Sequence, residues 1–161
     1  MKIDSLRFGE IEIDDSSVIH FQNGMIGFPE CQKFAIVKPD GEKTFHWLVS
    51  CEKSAIAFPL INLRTHFPDL IIGAYGDDAK ALGFSPSTPP KISEDMPTWG
   101  VVTLPNDLTQ MTVNLKAPVV IHGQIGCQCV QKDQSYKIRE PIFQKLLDYE
   151  NFMKNLSKTL K

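Results

Sequence analysis

Period-two alternation of apolar and polar positions dominates the chain. Ile11 and Ile13 alternate with Glu10, Glu12 and Asp14, the pattern of a half-buried strand with one carboxylate face. Val18-Ile19-His20-Phe21 is a second apolar run that stops at the turn dipeptide Asn23-Gly24. Phe34–Val37 and Phe45–Ser50 flank Pro39-Asp40-Gly41, where Pro presets φ and Gly admits positive φ. Residues 33–51 therefore predict a hairpin, with Phe45, Trp47 and Val49 on one face. Ala55–Asn62 reads as a strand, and Pro59, which cannot donate to a ladder, places it at an edge or bulge. Trp99–Leu104, the alternating set Met111, Val113, Leu115 and Ala117, then Val119–His122 and Ile125–Val130 complete the strands.

Helical signals are few. Asp77–Gly83 has an acidic start, an apolar middle and a Gly stop. At the C-terminus Ile142, Leu146, Tyr149, Met153, Leu156 and Leu160 recur at the spacing of one helical stripe. Pro141 suits its first turn, and Lys154, Lys158 and Lys161 suit its negative end. Between these, Ser85–Pro97 is proline-rich and predicts a surface loop. The chain is thus expected to be mainly β: a small, strongly bent antiparallel β-barrel-like fold with few short helices and a C-terminal amphipathic helix. Residues 1–142 would form the barrel domain, with 143–161 a helical tail packing on it.

Composition narrows the function classes. The 161 residues carry 17 Lys and Arg against 19 Asp and Glu, a net charge of −2. The charge is uneven: residues 1–95 hold 14 acidic and 9 basic side chains, and residues 96–161 hold 5 and 8. Neither part is a polycation, which argues against direct nucleic-acid binding. No apolar run approaches the ~20 residues of a membrane span, and the first residues lack the apolar core of an export signal. A cytoplasmic protein is expected, and in that compartment Cys31, Cys51, Cys127 and Cys129 would be thiols.

No catalytic constellation emerges, and no cofactor or metal is expected. Cys127-x-Cys129 puts two thiols on one strand face, but structural zinc needs two such pairs with wider spacing. His20, His46, His66 and His122 are scattered beside apolar runs. There is no phosphate-cradling glycine loop and no hydrolase or zincin motif. Two other classes stay open at this point: a small enzyme using Cys31 or Cys51 with a nearby His, and an RNA-binding barrel.

Several segments in order carry a resemblance. They are Phe8-Gly9-Glu10-Ile11-Glu12-Ile13, Gly24-Met25-Ile26-Gly27-Phe28, Ala57-Phe58-Pro59-Leu60-Ile61-Asn62, and Met111-Thr112-Val113-Asn114-Leu115-Lys116-Ala117-Pro118. Over about residues 6–142 the chain resembles the FliW family of bacterial flagellar assembly factors. The resemblance implies a non-enzymatic regulator that binds the RNA-binding translational repressor CsrA and relieves its repression of flagellin synthesis. It also implies binding to flagellin, which would sequester the regulator and restore repression. Cys127 and Cys129 inherit no role from the family, and the tail lies outside it.

Two sets of residues are expected to touch partners. Phe58 and Asn62 close an apolar run, and Asn114 sits among the polar positions of a cleanly alternating strand. The alternative for these three is local: Phe58 in the core and both Asn capping backbone. Glu10, Glu12 and Asp14 would project from one strand face and steer a basic partner such as CsrA.

Overall fold

The computed structural model describes residues 1–38, 45–85, 92, 95–143, 151, 153 and 154. In chain order the strands are β1 (Lys2–Ser5), β2 (Gly9–Glu12), β3 (Ile19–His20), β4 (Lys33–Val37), β5 (His46–Ser50) and β6 (Ala57–Asn62). They continue as β7 (Thr98–Thr103), β8 (Thr112–Val113), β9 (Val119–His122), β10 (Ile125–Gln128) and β11 (Glu140–Pro141). Two short helices, α1 (Leu63–His66) and α2 (Asp77–Ala81), lie between β6 and β7.

The wall of the fold is a closed barrel in the order β7-β6-β5-β4-β3-β10-β9, with β9 returning to β7 through Thr98–Val120 and Trp99–Val119. Closure gives every strand of the barrel a neighbour on both sides over at least part of its length, which limits the edges that would otherwise invite aggregation. β8 and β11 extend the sheet beside the end of β7. All these pairings are antiparallel except β3 with β10, which run parallel through His20 and Ile125. β1 and β2 form a separate two-stranded ribbon with Ile3 opposite Ile11. Alternation across the ribbon buries Ile3 and Ile13 and leaves Glu10 and Glu12 exposed.

Both faces of the barrel wall are apolar. Ala35, Trp47, Val49, Ile61, Val102, Val120 and Cys127 belong to a large cluster that also takes in the ribbon, α1 and α2. Their strand neighbours Phe34, Leu48, Leu60, Val119 and Ile121 belong to a second, smaller cluster. The segment after β3 covers that cluster with Phe21, Met25 and Cys31. It bends through Gly24 and Gly27, at φ +66° and +89°. At Gly24 any Cβ would lie 2.4 Å from the Phe28 carbonyl oxygen, so both backbone angle and space demand glycine there.

The sequence expectations meet this fold unevenly. The β4–β5 pairing sets Val37 against Trp47 as the hairpin requires, while its turn lies outside the described residues. Phe45, Trp47 and Val49 share the large cluster. Asp77–Ala81 is helical. β6 is an inner strand between β5 and β7, but Pro59 is paired on one side only, with Trp47, so the edge expected at the proline is a local one. The ladder to β7 begins only at Leu60, one residue beyond it. Met111, Val113, Leu115 and Ala117 are all buried as alternation demands, yet only Thr112–Val113 forms a ladder. The proline-rich loop and the C-terminal stripe fall mostly outside the described residues. Of the stripe, Ile142 and Met153 pack against the large cluster.

Candidate functional site

The smaller cluster has a half-buried margin, and it collects the sequence-singled residues Phe58 and Asn62. Both lie on β6, two positions either side of the buried Leu60, so their side chains share a face. The Phe58 ring meets Phe28 edge-on at 5.5 Å and lies 6.3 Å from Phe34. On β4 and β7, Ile36, Trp99 and Val101 are likewise only partly buried against this cluster. Trp99 stands opposite Asn62 in the β6–β7 ladder, and His46 tilts against the Trp99 ring at 4.9 Å. Asn114 reaches the same neighbourhood through its backbone, donating its N–H to the Val101 carbonyl at 2.9 Å.

The two asparagine side chains are occupied locally. Asn62 Oδ1 accepts the N–H groups of Arg64 and Thr65 at 2.9 and 3.2 Å, capping α1. Asn114 Oδ1 accepts the Ala117 N–H at 3.0 Å. Among the described residues, what remains to meet a partner is the half-buried margin of Phe58, Trp99 and Val101 and the amide nitrogens of the two Asn. Sequence reasoning missed Trp99, Val101 and Ile36. The signal was present in β5, where Leu48 between Trp47 and Val49 already shows that the opposite face is apolar.

Glu10, Glu12 and Asp14 lie elsewhere, on the ribbon, and their charge is partly answered. Lys2 Nζ is 3.5 Å from Glu10, and the amino terminus is 3.2 Å from Glu12 and 3.7 Å from Asp15. The carboxylate of Glu12 in turn holds the amino terminus above its ordinary pKa. Asp14 precedes a single turn and is exposed, without an ion pair among the described residues. The strand thus presents an acidic face with two cations set into it.

Three thiols are buried and the fourth, Cys51, is half-buried. Cys31 is fully buried in the smaller cluster. Burial, then the charge of Glu52, pushes the Cys51 thiol up. Cys127 and Cys129 are buried on β10 and just beyond it, and a hydrogen bond with Cys127, then burial, raises the Cys129 thiol far above its ordinary value. Cys127 Sγ lies 3.6 Å from an Asp78 carboxylate oxygen. Among the described residues, no three or more His, Cys, Asp or Glu side chains are placed to share a metal ion. No helix among them is long and apolar enough to cross a membrane.

A family model described as FliW protein matches residues 2–142, spanning the ribbon and the whole barrel. The chain belongs to the FliW family. A flagellar assembly factor FliW of Bdellovibrio bacteriovorus is 36% identical over 148 residues, covering 91% of this chain and 81% of that protein. One of Lachnospira eligens is 30% identical, covering 94% of this chain and all of that protein. A crystal structure of the flagellar assembly factor FliW superposes with a TM-score of 0.76 at 26% identity, over 90% of this chain and 99% of that one. The FliW fold is therefore the mainly β barrel described above, with its two short helices.

Proposed function

We propose that this chain acts in flagellar assembly as a non-enzymatic regulator that works by binding other proteins. In this reading it binds CsrA and relieves the repression of flagellin synthesis, and flagellin in turn sequesters it. The observation that carries the reading is the half-buried margin around Phe58, Trp99 and Val101. Half-buried apolar side chains sharing one face of a barrel wall suit a protein partner. The acidic balance of residues 1–95 supports the choice of a basic partner, and membership of the FliW family supports the pathway. The switch itself is competition between binding free energies, with no covalent step.

Titration calorimetry of the purified chain with CsrA, with flagellin, and with each in the presence of the other tests this directly. Expected is saturable binding to both, with flagellin displacing CsrA. Failure to retain either protein, or capture of RNA that persists without CsrA, would overturn it.

A further inference from the structure

We propose that the gap between β2 and β4 is a strand-addition site for an extended, acidic segment of a protein partner. Barrel closure leaves two edges nearby without a neighbour. β2 pairs with β1 alone. On β4, β3 reaches only Lys33 and Phe34, so among the described residues the same edge has no strand beside it from Ala35 to Val37. A groove of about 750 Å³ runs between the two, bordered by residues 7, 8 and 10–12 of the ribbon and by Val37 and Lys38. Three consecutive β2 residues border it, so the groove meets the edge of that strand rather than one face. An inserted strand would bond β2 on one side and β4 on the other. Its alternate side chains would meet Phe8, Ile11 and Val37.

Charge sets the composition of the occupant. The groove's two carboxylates are already engaged, Glu10 by Lys2 and Glu12 by the amino terminus. Its two cations, Arg7 and Lys38, have no carboxylate partner among the described residues. Arg7 is also fixed in position, its guanidinium 4.3 Å over the Trp47 ring and 5.8 Å from that of Phe8. A segment alternating acidic and β-branched residues matches both the cations and the apolar floor. A nucleic acid does not: two cations are too few to neutralise a run of phosphates, and bare strand edges offer it nothing.

The site is separate from the Phe58 margin, so the two stand or fall independently. The test is an amide NMR titration of the full chain with a blocked Asp-Val-Asp-Val-Asp peptide. Expected are shifts confined to the amides of Glu10–Glu12 and Ala35–Lys38, with slowed exchange along both edges. Replacing the central Asp by Pro should abolish binding, and Lys-Val-Lys-Val-Lys should bind at least about tenfold more weakly. Lys38→Glu should weaken the acidic peptide at least about tenfold, as should Arg7→Ala, whose near-ultraviolet dichroism reports whether Trp47 packing survives. Phe58→Ala should leave peptide affinity unchanged. Equal binding of the Pro peptide, equal binding of the Lys peptide, shifts at the Phe58 margin instead, or oligouridylate binding to the two edges would each overturn the proposal.

Discussion

Asp78 and Val130 join α2 to the strand side of the fold: the Val130 N–H donates to one Asp78 carboxylate oxygen at 2.9 Å. The other oxygen lies 3.6 Å from Cys127 Sγ, so a single carboxylate spans the contact between helix and β10. Asp78→Ala frees an N–H that water can reach, and the expected cost is about 1 kcal/mol. Thermal unfolding should then fall by ~2–4 °C. An unchanged melting temperature would mean that α2 is held by Ala79, Ala81 and Leu82 alone.

Gly24 and Gly27 are predicted to differ although both have positive φ. At Gly27 the space for a Cβ is open, so Gly27→Ala should cost only backbone strain, ~1–2 kcal/mol. Gly24→Ala adds a clash with Phe28 and Pro29 backbone, and its cost should exceed that of Gly27→Ala. Urea unfolding midpoints of the two variants check the order. Equal midpoints would show that the bend relaxes.

The Phe58 margin yields a contrast between binding and stability. Asn62→Ala removes a helix cap and should cost ~0.5–2 kcal/mol of stability. Trp99→Leu keeps an apolar side chain while removing the ring beside His46, and should weaken a partner far more than it weakens the fold. Calorimetry with CsrA and flagellin, alongside urea unfolding of the same samples, separates the two quantities. If Trp99→Leu leaves both affinities intact, the margin is not the contact.

A triple reversal, Glu10→Lys/Glu12→Lys/Asp14→Lys, tests the acidic face. Exposed pairs are worth ~0–1 kcal/mol, so each single change should be mild. The triple variant should slow association with CsrA and flatten its salt dependence, since such attraction is screened over ~8 Å. Lys2 and the amino terminus already offset part of this charge, so Asp14→Lys should have the largest single effect. Stopped-flow association rates across a salt series decide it, and identical slopes for wild type and triple variant would remove the face from the mechanism.

Burial, and then the charge of Lys38, hold the His46 imidazole below its ordinary pKa. The unfolded chain therefore binds the proton first as pH falls, so stability is lost as the pH drops through the unfolded value of 6.5 toward the lower folded one. His46→Gln should flatten this part of the profile. Urea midpoints at about pH 7.5 and about pH 5.5 measure it, and an equally steep variant would assign the slope to other groups.

Much of the barrel was legible in alternation because half-buried strands must repeat every two residues. Ile13, Trp47, Val49 and Val113 are buried as that pattern requires, and Ile11 is half-buried. β1 was not legible: Lys2–Ser5 carries only one apolar residue pointing inward, Ile3, too few to set a period. Pro59 marks a locally unpaired position, but a single missing donor cannot reveal that β7 joins one residue further on, at Leu60. For the candidate site, Phe58 and Asn62 were visible as one strand. Trp99 and Val101 come from a strand 37 to 43 residues further along the chain, and only the β6–β7 register brings them alongside.

A wall that is apolar on both sides has a consequence for how the chain finds its structure. In a sheet with one wet face, a strand that slips by one residue turns its apolar set to water and is rejected at once. Here a slipped β5 or β7 would exchange one apolar set for another, and polarity would not object. Volume must do the selecting. On β7 only Gly100 fits the spot where any Cβ would fall 2.4 Å from Val113 and 2.7 Å from Leu63. On β10, Gly126 likewise leaves room for the ring of Phe21. A misaligned strand would bring Trp99 or Val101 to the first of these places and Ile125 or Cys127 to the second. These two glycines act as alignment pins, and enlarging either should trap misregistered chains during refolding.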